Sequence, residues 1–260
     1  MVFMFLFAVF GLLSSSQAGA ADVRHVVMVS VDGLRSDAIT TLGPDVLPSM
    51  HRLLADAGTL DARCDATLSL TLPNHTTMVT GRPVSGSKGH QWRTNSTPPV
   101  SATYHNHLGR YVPSAFDVAH DNGVHTTVLA GKEKFVLMDR SWNDTFGAVD
   151  GTGVDNGRDK IDHFEMNADP AVLTESMISV WRDAHPKSLT LLHYRQPDGA
   201  GHGYGWDLTP GSKYLESIKH VDNELGKLFK YLDTHPKLRA SVAILLTSDH
   251  GGGVPFRSHV

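Results

Sequence analysis

The sequence predicts an α/β fold, a mostly parallel central sheet flanked by helices on both faces. Two observations lead there. Short, β-branched apolar runs alternate with helical segments along the 260 residues, and that order implies parallel strands joined by helical crossovers. Three of the runs also stop at acidic or imidazole side chains, and open parallel sheets gather ligands outside the carboxyl ends of their strands.

Each element has a local reason. "HVVMVSV" (His25 to Val31) is short and β-branched enough for a buried strand. "LPSMHRLLADAG" (Leu47 to Gly58) has helical spacing and a terminal glycine. In "LSLTLPNHTTMVTG" (Leu68 to Gly81), Pro73 suits a first helical turn and Gly81 the position past the end. "PSAFDVAHDNG" (Pro113 to Gly123) reads as a helix stopped by Asn-Gly, and "VHTTVLA" (Val124 to Ala130) as a strand. A longer helix begins at the Asp-Pro cap of Asp169 to Pro186, followed by a strand over Ser188 to Tyr194. Thr209 to Pro236 is an amphipathic helix with Leu215, Ile218, Val221, Leu225, Leu228 and Leu232 on one face. Ala240 to Ser248 is the last strand. The Gly-, Ser-, Asn- and Pro-rich stretches 81–101 and 146–159 read as long loops near the site, not as linkers.

Composition narrows the partners. With 40 % hydrophobic residues the chain supports one sizeable core, and its net charge of -4 gives no reason to expect a nucleic-acid duplex. Residues 1–20 stand apart: the run "MVFMFLFAVFGLL" is short for a membrane span, and Ala18-Gly19-Ala20 fits a leader cleavage site. They are expected to be a signal peptide, with 21–260 an exported catalytic domain carrying no stable membrane span. Cys64 is the single cysteine, so no internal disulfide can form.

Asp32 follows the first strand, Asp198 and His202 lie just past the strand at Ser188 to Tyr194, and Asp249-His250 follows the last. Alone, Asp32-Gly33 reads as a turn and "DGAGHG" as a glycine-rich loop. Together they form a carboxylate and imidazole set suited to zinc or manganese. Five such groups exceed what one catalytic zinc uses, so two divalent ions are expected, about 4 Å apart, clamping an in-line displacement at phosphorus. Thr71 stands at a helix N-terminus, where unpaired N–H groups and the dipole attract phosphate. Coordination to a metal would make its hydroxyl a nucleophile that forms a covalent phosphoryl intermediate; the simpler reading is that Thr71 only caps the helix.

The motifs "SVDGLR", "TLPNHTTMVTG", "PDGAGHGYG" and "SDHGGG" together resemble the type I phosphodiesterase and nucleotide pyrophosphatase family of the alkaline phosphatase superfamily, from about residue 24 onward. The resemblance implies an alkaline phosphatase-like fold and two zinc ions. One would be held by Asp32, Asp249, His250 and the nucleophile Thr71, the other by Asp198 and His202. It also implies an asparagine donating to a phosphate oxygen, for which Asn95 is the candidate. Asn74 and His75 match the motif as supports of the helix start, with a direct role for Asn74 left open. The family completes its second ion with a histidine well downstream, and further strands follow there. Here only His259 comes after His250. The chain is therefore expected to lack C-terminal strands and that ligand, and to bind the second ion weakly or fold poorly.

The expected substrate is a phosphodiester or a nucleotide pyrophosphate. A phosphomonoesterase of the same superfamily is the alternative; it would want extra cations, for which Arg82, Lys88 and Arg93 are near in sequence. The other alternative is a metal-binding remnant without turnover. Trp92, Tyr104, Trp142, Tyr204 and Trp206 could stack on a base or simply pack, and Lys132 could face the site or begin a solvated helix.

Overall fold

The computed structural model describes residues 22–64, 68–150 and 157–253. The expected leader and His259 lie outside them. In chain order the elements are β1 (His25–Val31), α1 (Ser36–Leu42), α2 (Pro48–Ala57), α3 (Thr71–Thr80), α4 (Tyr104–Leu108), α5 (Ala115–Asp121) and β2 (His125–Ala130). They continue through α6 (Val136–Ser141), β3 (His163–Met166), α7 (Pro170–Arg182), β4 (Ser188–Tyr194), α8 (Gln196–Tyr204), α9 (Lys213–Asp233), α10 (Pro236–Arg239) and β5 (Val242–Thr247).

All five strands pair in parallel, in the order β3-β2-β4-β1-β5. The chain moves outward from β1 to β3, then returns to insert β4 and place β5 beyond β1. Their carboxyl ends therefore share one edge, with β4 and β1 central. Side chains alternate between two cores. On one face Val27, Val29, Val31, Leu192 and Tyr194 pack against Leu173, Met177 and the apolar stripe of α9, where the six predicted positions are all buried. On the other face Val128, Ala130 and Leu191 meet Leu72, Val79, Phe135 and Trp142. Each fully buried leucine in these layers contributes about 2–3 kcal/mol through area removed from water. The edge strand β5 is only partly covered, and Leu245 is 57 % exposed.

The predicted strands and long helices are present. The strand β3, the helices α1, α4, α6 and α8, and the short α10 are additions. The four-residue β3, "HFEM", alternates polar and apolar side chains at the sheet edge, but over too few residues to stand out as a strand. Trp92, Tyr104, Trp142 and Trp206 are buried in the cores, whereas Tyr204 is 67 % exposed.

One core contact makes stability depend on pH. The buried ring of His105 accepts a hydrogen bond from the Val112 N–H at Nδ1 (2.9 Å) and donates from Nε2 to the Ser141 carbonyl (2.5 Å). The bond accepted at Nδ1 needs the neutral ring, and burial pushes the pKa below 6.5 against the smaller opposing effect of the Ser141 bond. The unfolded chain therefore takes up more protons as pH falls below 6.5, and this stabilisation is present above that pH and lost below it. Urea unfolding from pH 7.5 to 5.0 should show a steeper loss in the parent than in His105→Gln, by up to about 1.4 kcal/mol per pH unit. Equal slopes would refute this.

Candidate active site

Asp32 is the first residue past β1 and is fully buried. Gly33 follows with φ 70°, a left-handed conformation open to glycine at little cost. A Cβ there would sit 2.9 Å from the Asp198 Cα, so glycine lets the β1 and β4 ends approach. The register places Ser30 opposite His193 and Val31 opposite Tyr194. Asp198 comes just after, on α8, and its N–H donates to the Asp32 carbonyl (3.0 Å).

The stretch around Asp198 is thus a helix rather than a loop. Asp198 and His202, one turn apart, lie on one side of α8, with His202 Nε2 3.3 Å from Asp198 Oδ1. Glycines in α8 hid it from sequence propensity. Gly201 is required by packing, since a Cβ there, or at Gly252, would run into the Trp206 indole.

Thr71 opens α3, and no side chain of the preceding residue caps that helix. Instead Asn95, from the loop beyond, accepts the Leu72 N–H at Oδ1 (3.0 Å). His75, one turn on, donates from Nδ1 to the Thr71 carbonyl (2.8 Å), and Ser30 Oγ donates to its Nε2 (2.8 Å). Burial, then His193, lowers the His75 pKa to about 3, so the ring is neutral. Asn74 donates to the Asp249 carbonyl (2.7 Å); it supports the β5 end and does not line the cavity beside Thr71.

His250 donates from Nδ1 to the Gly251 carbonyl (2.8 Å), which turns the Nε2 lone pair inward. That nitrogen lies 3.4 Å from Thr71 Oγ1, 3.4 Å from Asp32 Oδ1, 3.3 Å from Asp249 Oδ2 and 3.9 Å from Asp198 Oδ1. Asp32, Asp249 and His250 each place one ligand atom within 4.8 Å of the others. Asp32 Oδ1 and Asp249 Oδ2 are buried with no hydrogen-bond donor. Such oxygens are costly to bury, and a divalent cation satisfies them, so the residues fit a metal. Burial alone would raise the Asp32 pKa, but Lys132 and the His193 hydrogen bond outweigh it and hold the carboxyl well below its ordinary range. Asp249 is pushed well above that range, first by burial and then by Asp32.

Sequence reasoning missed His193 and left Lys132 open between the site and a solvated helix start. His193 donates from Nε2 to Asp32 Oδ2 (2.9 Å) while the Gly131 N–H donates to its Nδ1 (3.1 Å), so the ring orients the Asp32 carboxylate from behind. Lys132 is not on a solvated helix start. Its Nζ lies 2.6 Å from both Asp32 Oδ2 and Asp198 Oδ2 and 3.4 Å from Thr71 Oγ1. Burial opposes its charge, but Asp32 and Asp198 raise its pKa. The signal was available, because Lys132 follows the end of a parallel strand and so reaches the same edge. An ammonium there repels an incoming cation, so Lys132→Met should tighten zinc binding about tenfold in a competition titration against a chromophoric chelator. Unchanged or weaker binding would count against that placement.

Thr71, Asn95, Lys132, Asp198 and His202 line one cavity of about 500 Å³. Arg82, Lys88 and Arg93 do not reach it. Arg82 instead meets the Lys88 carbonyl and Arg93 the Ser85 hydroxyl on the exposed loop.

The sequence model described as type I phosphodiesterase / nucleotide pyrophosphatase matches residues 26–254. Ectonucleotide pyrophosphatase/phosphodiesterase family member 7 of Homo sapiens is 26% identical over 233 residues, covering 88% of this chain and 48% of that protein. The Rattus norvegicus protein of the same name is 24% identical over 232 residues, 88% of this chain and 50% of its own. The chain thus spans about half the length of the curated relatives it matches. Among solved structures, the fold resembles an inactive form of murine ectonucleotide pyrophosphatase / phosphodiesterase 5 in complex with AMP, with TM-score 0.60 and 19% identity over 88% of this chain and 57% of that one. It also resembles an alkaline phosphatase superfamily protein from Vibrio parahaemolyticus, with TM-score 0.58 and 14% identity over 90% and 56% of the two chains. With a five-stranded parallel sheet, an acid and imidazole cluster at its carboxyl edge and a family match over nearly the whole chain, this protein belongs to the type I phosphodiesterase / nucleotide pyrophosphatase family.

Proposed function

We propose that this chain carries the core of a metal-dependent hydrolase of phosphodiester or nucleotide pyrophosphate bonds that works through a covalent phosphothreonine. The observation behind this is the placement of Thr71 Oγ1 at a helix start, 3.4 Å from both His250 Nε2 and Lys132 Nζ and beside carboxylates from three strand ends. Asp32, Asp249 and His250, together with Thr71, would hold one divalent ion, and Asp198 with His202 a second; zinc suits these donors. When bound, such ions supply positive charge that lowers the pKa of a hydroxyl and offsets charge on phosphoryl oxygens.

The chain's own groups do the rest. Thr71 Oγ attacks phosphorus and the bond to the leaving oxygen breaks. Water then cleaves the bond between Oγ and phosphorus, releasing the phosphate product and restoring the hydroxyl. The backbone of Thr71 is fixed by His75, so the hydroxyl needs little reorganisation. With its Oδ1 held on the Leu72 N–H, Asn95 presents its amide N–H₂ to a non-bridging phosphoryl oxygen. The relatives support export of this chain. Among the described residues, no helix is long and apolar enough to cross a membrane.

Purified chain with zinc should hydrolyse bis-p-nitrophenyl phosphate faster than p-nitrophenyl phosphate. A chelator should stop the reaction and added zinc restore it, and acid quenching should trap an esterified phosphoryl group on the Thr71 peptide. Turnover that survives full metal removal, or a trapped adduct on another residue, would overturn the mechanism.

A further inference from the structure

Three basic side chains line the cavity beside Thr71, and they differ in their partners. Lys132 is engaged by Asp32 and Asp198. Lys134, on the turn Glu133–Phe135, and Arg195, between β4 and α8, are half-buried. Among the described residues no carboxylate pairs with either. The exposed Arg182 and the fully buried Lys160, by contrast, both have acidic partners. Half-burying a cation outside any ion pair is unfavourable; burial and then the Lys132 charge lower the Lys134 pKa, and the more distant charges of Asp32, Asp198 and Asp249 only partly oppose them. Glu133 lines the same cavity but is exposed.

The backbone explains why the two cations meet. Gly131 ends the strand edge before the lysine turn, and a Cβ there would lie 3.2 Å from the Cβ and Cγ of Arg195. Glycine lets the arginine stem lie against that turn, so both cations enter one cavity although 61 residues separate them in sequence.

We propose that Lys134 and Arg195 form an anion subsite beside the phosphoryl position, so that the substrate attacked by Thr71 carries a second anionic group, a carboxylate or a further phosphate. This rests on the reading of Thr71 as nucleophile and narrows its substrate class. A guanidinium matches either group with paired N–H donors, and the ammonium adds a point charge. A simple neutral-armed diester would leave both cations unmatched.

Binding tests this without turnover. Zinc-loaded Thr71→Ala protein is titrated with ethyl phosphate, 2-phosphoglycolate and 1,3-propanediol bisphosphate. The first has no second anion, the second adds a carboxylate and the third a phosphate. At least one two-anion ligand should bind about tenfold or more tightly than ethyl phosphate. Arg195→Gln or Lys134→Gln should remove most of that advantage and change ethyl phosphate affinity less than about threefold. Whichever ligand gains more identifies the second group as carboxylate or phosphate. Equal affinity for all three ligands, or an advantage that survives both substitutions, overturns the subsite. Either result leaves Thr71-dependent hydrolysis of bis-p-nitrophenyl phosphate to be judged separately.

Discussion

Thr71→Ala should reduce hydrolysis of bis-p-nitrophenyl phosphate by about a thousandfold or more while leaving zinc affinity within about fivefold, because the covalent route loses its only nucleophile. The fold has little reason to suffer. The Thr71 side chain caps nothing: Asn95 satisfies the Leu72 N–H, and His75 binds the Thr71 carbonyl, which alanine retains. The lost contacts are those of Oγ1 with His250 Nε2 and Lys132 Nζ, both at 3.4 Å. Metal affinity should persist because Asp32, Asp249 and His250 still converge. Thr71→Ser keeps the hydroxyl and should keep part of the rate. Equal rates for alanine and parent would show that water attacks directly and that the threonine only begins the helix. Loss of zinc together with rate would make Thr71 chiefly a ligand.

The sheet edge was legible because its acidic and imidazole side chains are tied to strand ends. Asp32, Asp249 and His250 follow apolar β-branched runs directly, and parallel pairing does the rest. Asp198 and His202 were legible as a pair but not as helix neighbours, since Pro197 and three glycines in α8 lower its propensity. Gly201 is there for Trp206, a contact that no local pattern encodes. Asn95 was assigned by resemblance, and it reaches α3 across 23 positions through one hydrogen bond. His193 was hidden and Lys132 left undecided, for different reasons. A histidine inside a strand shows its role only once the register sets it opposite Ser30. A lysine after a strand shows its role only once two distant carboxylates are seen to meet it. The reading of Arg82, Lys88 and Arg93 as candidate cations failed because nearness along the chain was taken for nearness in space. Lys134 and Arg195 arrive from other strands.

Lys160→Met should destabilise the protein by about 3–5 kcal/mol at neutral pH, the usual consequence of stripping the partner from buried charge. Lys160 is completely buried, in the core face that also holds Trp142. Its Nζ bonds Asp121 Oδ1 and lies 3.7 Å from Asp117 Oδ1 and 3.9 Å from Asp150 Oδ2. Its backbone is fixed as well, the N–H donating to the Trp142 carbonyl (2.8 Å) and the carbonyl accepting from Thr126 Oγ1 (2.8 Å). Methionine nearly preserves the stem, so the loss is electrostatic and not a cavity effect. Three carboxylates with oxygens within 4.8 Å of one another would then lose the charge of Lys160. Asp117 is already pushed up by burial and then by Asp150, even with the lysine present. Without it, the folded-state pKa of Asp117 rises further above its unfolded value. Stability held by the protonated form is complete below the unfolded pKa and is lost as pH climbs through the folded one. The deficit in urea unfolding should therefore be larger at pH 7.5 than at pH 5.0, and adding Asp121→Asn to Lys160→Met should recover part of it. A deficit under about 1 kcal/mol, or one indifferent to pH, would mean that water reaches the cluster and that the lysine balances far less charge than its burial implies.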